Sequence, residues 1–337
     1  MPAKTAEAMA RKRSNNAVRE AKKRQRYRDS RGQSTQIDLS RQHHIKTKTD
    51  LSKADDIECT AIDQPGGIEQ HQDNVTLVDR DTDQVILQRI APSSYSKALE
   101  LQTSSLLGKY YYDRYLAEKT STYLIQKNGS HKFKLTRRKV IEHHLGIWHT
   151  QGKLDLNFTK ETSNPRYKAE ALDLLNWARQ HTHRAMNTAK YLIDLRFRSN
   201  IASRRKGKRW LASIFGSRSV KLLHPDWTTV AFFSSFAGGI HRDTEDCIPS
   251  YLFNFGEAAW IKLPEFSAKI LIEPLDLVIL NSRTFYHRTK PLDDSRSKDA
   301  GDRWAFSGFF RESIFNREAV CKIAQWRLDA IFEDHKE

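Results

Sequence analysis

The chain has 337 residues, 38% hydrophobic and 29% charged, with a net charge of +16 at pH 7. That is enough for one large domain or two small ones, yet too polar for every part to pack in a core. Its three scattered cysteines, Cys59, Cys247 and Cys321, exclude a CxxC-type metal site and a disulfide framework, and no apolar run approaches the length of a membrane span.

The charge is unevenly placed. Residues 1–50 carry 14 basic and 5 acidic side chains, a net of +9. Residues 51–90 carry 3 and 9, a net of −6, and the remainder is at +13. A folded part that is basic in its own right points to a polyanionic partner, nucleic acid first. Arg11-Lys12-Arg13 and Lys22-Lys23-Arg24 resemble a bipartite import signal and suggest a nuclear location. The N-terminus has no apolar h-region, which argues against a secretory signal. Residues 1–90 read as a disordered tail, basic and then acidic, broken at Pro65-Gly66-Gly67, with a short strand over Val85–Ile90.

Residues 91–337 read as a single catalytic domain with a helical part, 91–215, a β-rich core, 225–311, and a last helix, 316–334. Tyr95–Leu116 reads as helical in its second half. Its tyrosines, 110, 111, 112 and 115, suit core packing better than base stacking. Leu135–Trp148 is expected to be a helix with a basic start from Lys132 to Lys139. Pro165–Arg198 is the plainest helix, since Leu172, Leu175, Met186, Ala189 and Leu192 recur at helical spacing. The basic stretch that follows, Arg204, Arg205, Lys206, Lys208 and Arg209, is expected to meet backbone phosphates, because Lys and Arg release condensed counterions there.

After Pro225 the period becomes two. Strands are expected near Trp227–Ser235, Ile240–Thr244, Ser250–Phe255, Ala258–Leu263, Ala268–Ile272, Leu275–Leu280, Thr284–Arg288 and Arg303–Phe310, separated by turn residues such as Gly256-Glu257 and Glu273-Pro274. Eight short strands imply an α+β protein with a double-sheet jelly roll braced by helices.

The chemistry lies in this region. His241 and Asp243 stand at i and i+2, which on a strand puts both on one face. His287 follows on another strand. Two imidazoles and one carboxylate on one side of a metal leave positions open for a cosubstrate and oxygen, which suits non-haem Fe(II). A second His-x-Asp, His71-Gln72-Asp73, lacks flanking strands and is set aside. Arg303 opens the last strand and can hold a carboxylate through two parallel hydrogen bonds. If it faces the interior, so do Ala305, Ser307, Phe309 and Arg311. His241-Arg242-Asp243 is not a kinase catalytic loop, because Ile248 stands where that motif needs Asn.

These residues carry a resemblance. From Trp227 to Arg311 the chain resembles the TET/JBP group of 2-oxoglutarate/Fe(II) dioxygenases, in its compact, fungal-type form. The resemblance implies a double-stranded β-helix, Fe(II) held by His241, Asp243 and His287, 2-oxoglutarate gripped by Arg303, and O2 as oxidant. It implies oxidation of 5-methylcytosine in methylated DNA, with N6-methyladenine as a second candidate, and no obligate protein partner or membrane. Where animal members have a serine two residues after the arginine, Ala305 stands here and Ser307 is the candidate cosubstrate contact. Phe309 replaces a base-stacking tyrosine, and Arg311 and Asp246 replace a base-contacting histidine and asparagine. The Cys-rich region of the animal enzymes is absent. An RNA or protein hydroxylase of the same fold, or a DNA-binding protein with a vestigial site, are the alternative readings.

Overall fold

The computed structural model describes residues 35–38, 59–61, 74–79, 81–94, 98–126, 141–149, 156–202, 204, 211, 222–234, 239–292 and 303–316. In chain order these form β1 (Thr35–Asp38), β2 (Thr60–Ala61), β3 (Val75–Val78), β4 (Val85–Ile90), α1 (Ala98–Gln126), β5 (Ile141–His149), β6 (Leu156–Phe158), α2 (Lys160–Ser163) and α3 (Lys168–Ala189). The rest are β7 (Thr229–Ser234), β8 (Ser250–Phe255), β9 (Ala259–Leu263), β10 (Ala268–Ile272), β11 (Leu277–Leu280), β12 (Arg288–Pro291), β13 (Trp304–Phe309) and α4 (Glu312–Asn316). The expected helix 316–334, the basic residues Arg205, Lys206, Lys208 and Arg209, the import-like clusters and His71-Gln72-Asp73 lie outside the described residues.

Two sheets face each other. One has nine strands in the order β1-β3-β4-β11-β8-β13-β7-β5-β6, and the other has four, β12-β9-β10-β2. The antiparallel set β11-β8-β13-β7 opposite β12-β9-β10 is a jelly roll: after β8 the chain crosses to β9 and β10, returns to β11, crosses to β12 and returns to β13, as expected for this fold class. The period-2 pattern explains why one strand serves two cores. On β13, Trp304 and Phe306 pack outward under the helices with Trp177, Phe232 and Phe255. The alternate residues Arg303, Ser307 and Phe309 line the interior, in the alternation the sequence implies. Between the sheets, Ile261, Ile270, Ile272, Val278 and Leu280 pack into a second core, and Ile261 and Leu280 also line the cavity of the site.

Four expectations are corrected. Leu135–Trp148 is not a helix over its described part: Ile141–His149 is β5, paired antiparallel to β7. The alternation of His143, Leu145 and Ile147, all buried against the helices, outweighs local helix propensity. Gly146 has φ +120, and a Cβ there would stand 2.2 Å from the Thr228 carbonyl oxygen, so β5 can approach β7 this closely only with glycine. The acidic stretch 51–85 is not all linker, and the strand expected over Val85–Ile90 is present as β4. Val75–Val78 and Val85–Ile90 form a buried hairpin that extends the large sheet beside β11. Pro165–Arg198 is not one helix, since α3 ends at Ala189 and residues 195–202 form a separate helical stretch. Ile240–Thr244 is reduced to a single bridge at His241, because the chain turns at once, with the Asp246 amide donating to the Asp243 carbonyl at 2.9 Å.

Tyr112 and Tyr115 are core residues, stacked or edge-on against Phe232, Trp304 and His143, as the packing reading expects. Among the described residues no helix is long and apolar enough to cross a membrane.

The outer core also carries a pH dependence. His181 on α3 bonds Ser104 on α1 at 2.9 Å, and burial pulls its pKa to about 3, with Arg184 adding to the effect. His143 on β5 is pulled to about 3 by burial, then by Lys119 and His144. Both rings are neutral in the fold and protonate more readily in the unfolded chain, whose value is near 6.5. Their stabilisation is therefore complete above pH 6.5 and is lost as pH falls toward 3, by about 1.4 kcal/mol per group per pH unit. Urea unfolding is expected to lose less stability between pH 7 and pH 5 in His181→Gln than in the unsubstituted protein, by up to about 2 kcal/mol, the share of one such group.

Candidate metal centre and its cavity

His241 and His287 are brought together by a two-residue antiparallel bridge. Each backbone amide donates to the other's carbonyl, at 3.2 and 3.0 Å, which places both side chains on one face. Their rings lie 4.5 Å apart. Asp243 sits just past the bridge, where its amide donates to the Ser282 carbonyl at 2.9 Å. Its two carboxylate oxygens stand 3.7 Å from the Nε2 atoms of His241 and His287. One donor atom from each of the three residues falls within 4.8 Å of the others.

The second nitrogen of each ring decides what the first can do. His241 Nδ1 lies 3.0 Å from the Gly239 carbonyl, and His287 Nδ1 lies 3.3 Å from the Phe285 carbonyl. A carbonyl only accepts, so both Nδ1 atoms carry the proton. In the neutral form of each ring, Nε2 then presents a lone pair toward Asp243, the tautomer a metal ligand needs. Burial holds His287 neutral, lowering its pKa to about 4 against the opposing pull of Asp243. Two imidazoles and one carboxylate are a donor set that would suit Fe(II).

That cavity has a volume of about 680 Å³ between the sheets. Exposure grades across it: the His241 side chain is 51% exposed and that of His287 12%, so the site opens on the His241 side. Arg303 lies inside it at 3% exposure, and burial lowers its pKa to about 10. Ser307, Phe309, Arg311 and Asp246 also line it.

Asp246 and Arg311 meet as a pair, which their sequence positions do not reveal. They form a second backbone bridge and an ion pair at 3.1 Å. Burial pushes the Asp246 carboxyl up to about 7, against the pull of Arg311. The Arg311 guanidinium also stands 5.1 Å from the Phe309 ring and 5.9 Å from that of Trp148.

Arg204 is the site residue the structure removes. It is 1% exposed and donates to the carbonyls of Asp226 (2.8 Å), Cys247 (2.9 Å) and Pro249. A guanidinium committed to three buried carbonyls is not on the surface and is no phosphate contact. Conversely, sequence reasoning missed Glu142 and His144, which line the cavity from β5 and bond each other at 3.0 Å. His144 also lies against Trp148 and edge-on to Phe309. Expecting a helix there hid them; the i, i+2 spacing was the available signal.

A scan against protein-family models finds no match, and a search of curated proteins finds none. Similar solved structures exist, at a distance. One is NgTET1 in complex with 5mC DNA: 13% identity, 82% of this chain and 91% of that chain covered, TM-score 0.46. Another is a bsmA homolog from Methylobium petroleophilum PM1: 13% identity, 67% and 89% covered, TM-score 0.28. Likeness at this level decides nothing about function, which rests on the residues above.

Proposed function

We propose that the chain is an Fe(II)- and 2-oxoglutarate-dependent dioxygenase that oxidises the methyl group of 5-methylcytosine in DNA, with N6-methyladenine as a second substrate of the same chemistry. The observation that carries this reading is the pair of Nδ1-anchored histidines facing Asp243 in the cavity that also buries Arg303. Iron supplies the oxygen activation that side chains cannot. His241, Asp243 and His287 hold it on one side. Arg303 takes the distal carboxylate of 2-oxoglutarate, since a buried guanidinium gains most from an anion. Ser307 offers a hydroxyl on the same strand.

The methylated base leaves the stack to reach this depth. It enters from the open, His241 side. Phe309 supplies a ring face, while Asp246 and Arg311 set an acceptor beside donors for the edge of the base. Arg205, Lys206, Lys208 and Arg209 hold backbone phosphates, and the basic N-terminal clusters direct the chain to the nucleus.

The test is mass spectrometry of nucleosides from duplex DNA carrying both methylated bases, incubated with the protein, Fe(II), ascorbate and 2-oxoglutarate. Oxidised methylcytosine is the expected product. Succinate without any oxidised base would move the substrate to RNA or protein. Neither product from an iron-loaded chain would leave a DNA-binding protein with a vestigial site.

A further inference from the structure

We infer that Asn254 is the positioning residue for Arg303, and that it must be an amide so that the arginine keeps its charge for the cosubstrate. This rests on the proposed role of Arg303. Asn254 lies on β8 with no exposed surface. Its Oδ1 accepts from Arg303 Nε at 3.0 Å. Its Nδ2 donates to the Glu257 carbonyl at 3.0 Å and the Glu273 carbonyl at 3.2 Å. The nitrogen faces two acceptors and the oxygen faces a donor, so the orientation of the amide is set by its surroundings. The backbone of Asn254 is tied as well: its carbonyl accepts from Leu275 at 2.7 Å. One residue thus joins β8, the turn after it, the β10–β11 turn and the guanidinium.

The chemistry of this contact explains the residue type. A carboxylate at position 254 would face two carbonyl oxygens, and it would neutralise Arg303 before any ligand arrived. An amide orients the guanidinium through Nε without cancelling its charge. Asn254 therefore sets both the direction and the strength of the grip on a dicarboxylic 2-oxo acid.

The experiment compares two 2-oxo acids by anaerobic titration calorimetry on the full chain with Fe(II): 2-oxoglutarate, and pyruvate, which lacks the distal carboxylate. The unsubstituted protein is expected to prefer 2-oxoglutarate, and Arg303→Ala to lose that preference. Asn254→Asp and Asn254→Ser are expected to weaken 2-oxoglutarate by about tenfold or more, as is usual when a supporting partner is removed, while pyruvate changes by less than about twofold. A purely structural role for Asn254 would weaken both ligands alike and overturn the inference. No preference in the unsubstituted protein would overturn the role of Arg303 and this inference with it. A normal response of Arg303→Ala beside full preference in Asn254→Asp would overturn the inference alone. A measurement without any change at Asn254 guards against misfolded variants. The Arg303 Hε signal, assigned by its loss in Arg303→Lys, is expected to exchange slowly with solvent, and fast exchange would also overturn the inference.

Discussion

On the proposed reading, Asp243→Ala is expected to abolish succinate formation and base oxidation, a loss on the order of 10³-fold or more, and to lower bound iron well below one per chain. The magnitude follows from the several kcal/mol a Lewis-acidic metal contributes to a reaction barrier, each 1.36 kcal/mol being tenfold. Asp243 is the residue whose two oxygens face both imidazoles, so without it the two Nε2 atoms have no anionic partner in the ligand set. Its side chain is 34% exposed and its backbone bond to Ser282 survives the substitution, so the thermal midpoint is expected to stay within a few degrees. Metal content and turnover, measured on the same preparation, check the result. Full turnover with Ala at this position would sink the metal-centre reading.

Arg204→Ala is expected to lower stability by about 3–5 kcal/mol, since each buried carbonyl left unpaired costs about 1–3 kcal/mol. Three carbonyls, those of Asp226, Cys247 and Pro249, lose their donor together, and all three belong to segments that enter β7 or β8. Arg204→Lys rescues little, because an ammonium on a flexible stem cannot reproduce the planar fork that spans them. Denaturant midpoints check this prediction. The discriminating measurement is duplex affinity in the remaining folded protein. A phosphate contact at Arg204 would weaken binding and flatten its salt dependence, whereas a buried clamp leaves both unchanged.

How legible the molecule is in its sequence depends on which interaction decides each part. Of the core strands, β7 to β11 and β13 are readable because they are short apolar runs, several of them followed closely by Gly or Pro, whereas the strand expected at Thr284–Arg288 is instead β12, Arg288–Pro291. α3 is readable because its apolar residues recur at helical spacing. His241, Asp243 and His287 are legible because imidazole and carboxylate are metal-ligand types, and Arg303 because it opens the last strand; the structure brings the first three together and places Arg303 in the same cavity. The reading of 135–148 as a helix fails over 141–149, because partner strand β7, far away in sequence, supplies hydrogen bonds and a buried face that local propensity ignores. Strand β4 is legible over Val85–Ile90, but its partner β3 is obscured by the acidic residues around it, although Val75 and Leu77 are buried.

The sequence by itself determined the donor set, the jelly-roll class and the inward row Arg303, Ser307, Phe309 and Arg311, since residue type and the two-residue period of a strand are local properties. Only the tertiary structure decided that His241 and His287 exchange backbone hydrogen bonds, that Asp246 pairs with Arg311, that Glu142 and His144 enter the cavity, that Asn254 holds Arg303, and that Arg204 is buried. Each of these depends on which distant segments lie side by side and on which charges lose their water, and both are settled when the sheets close on each other.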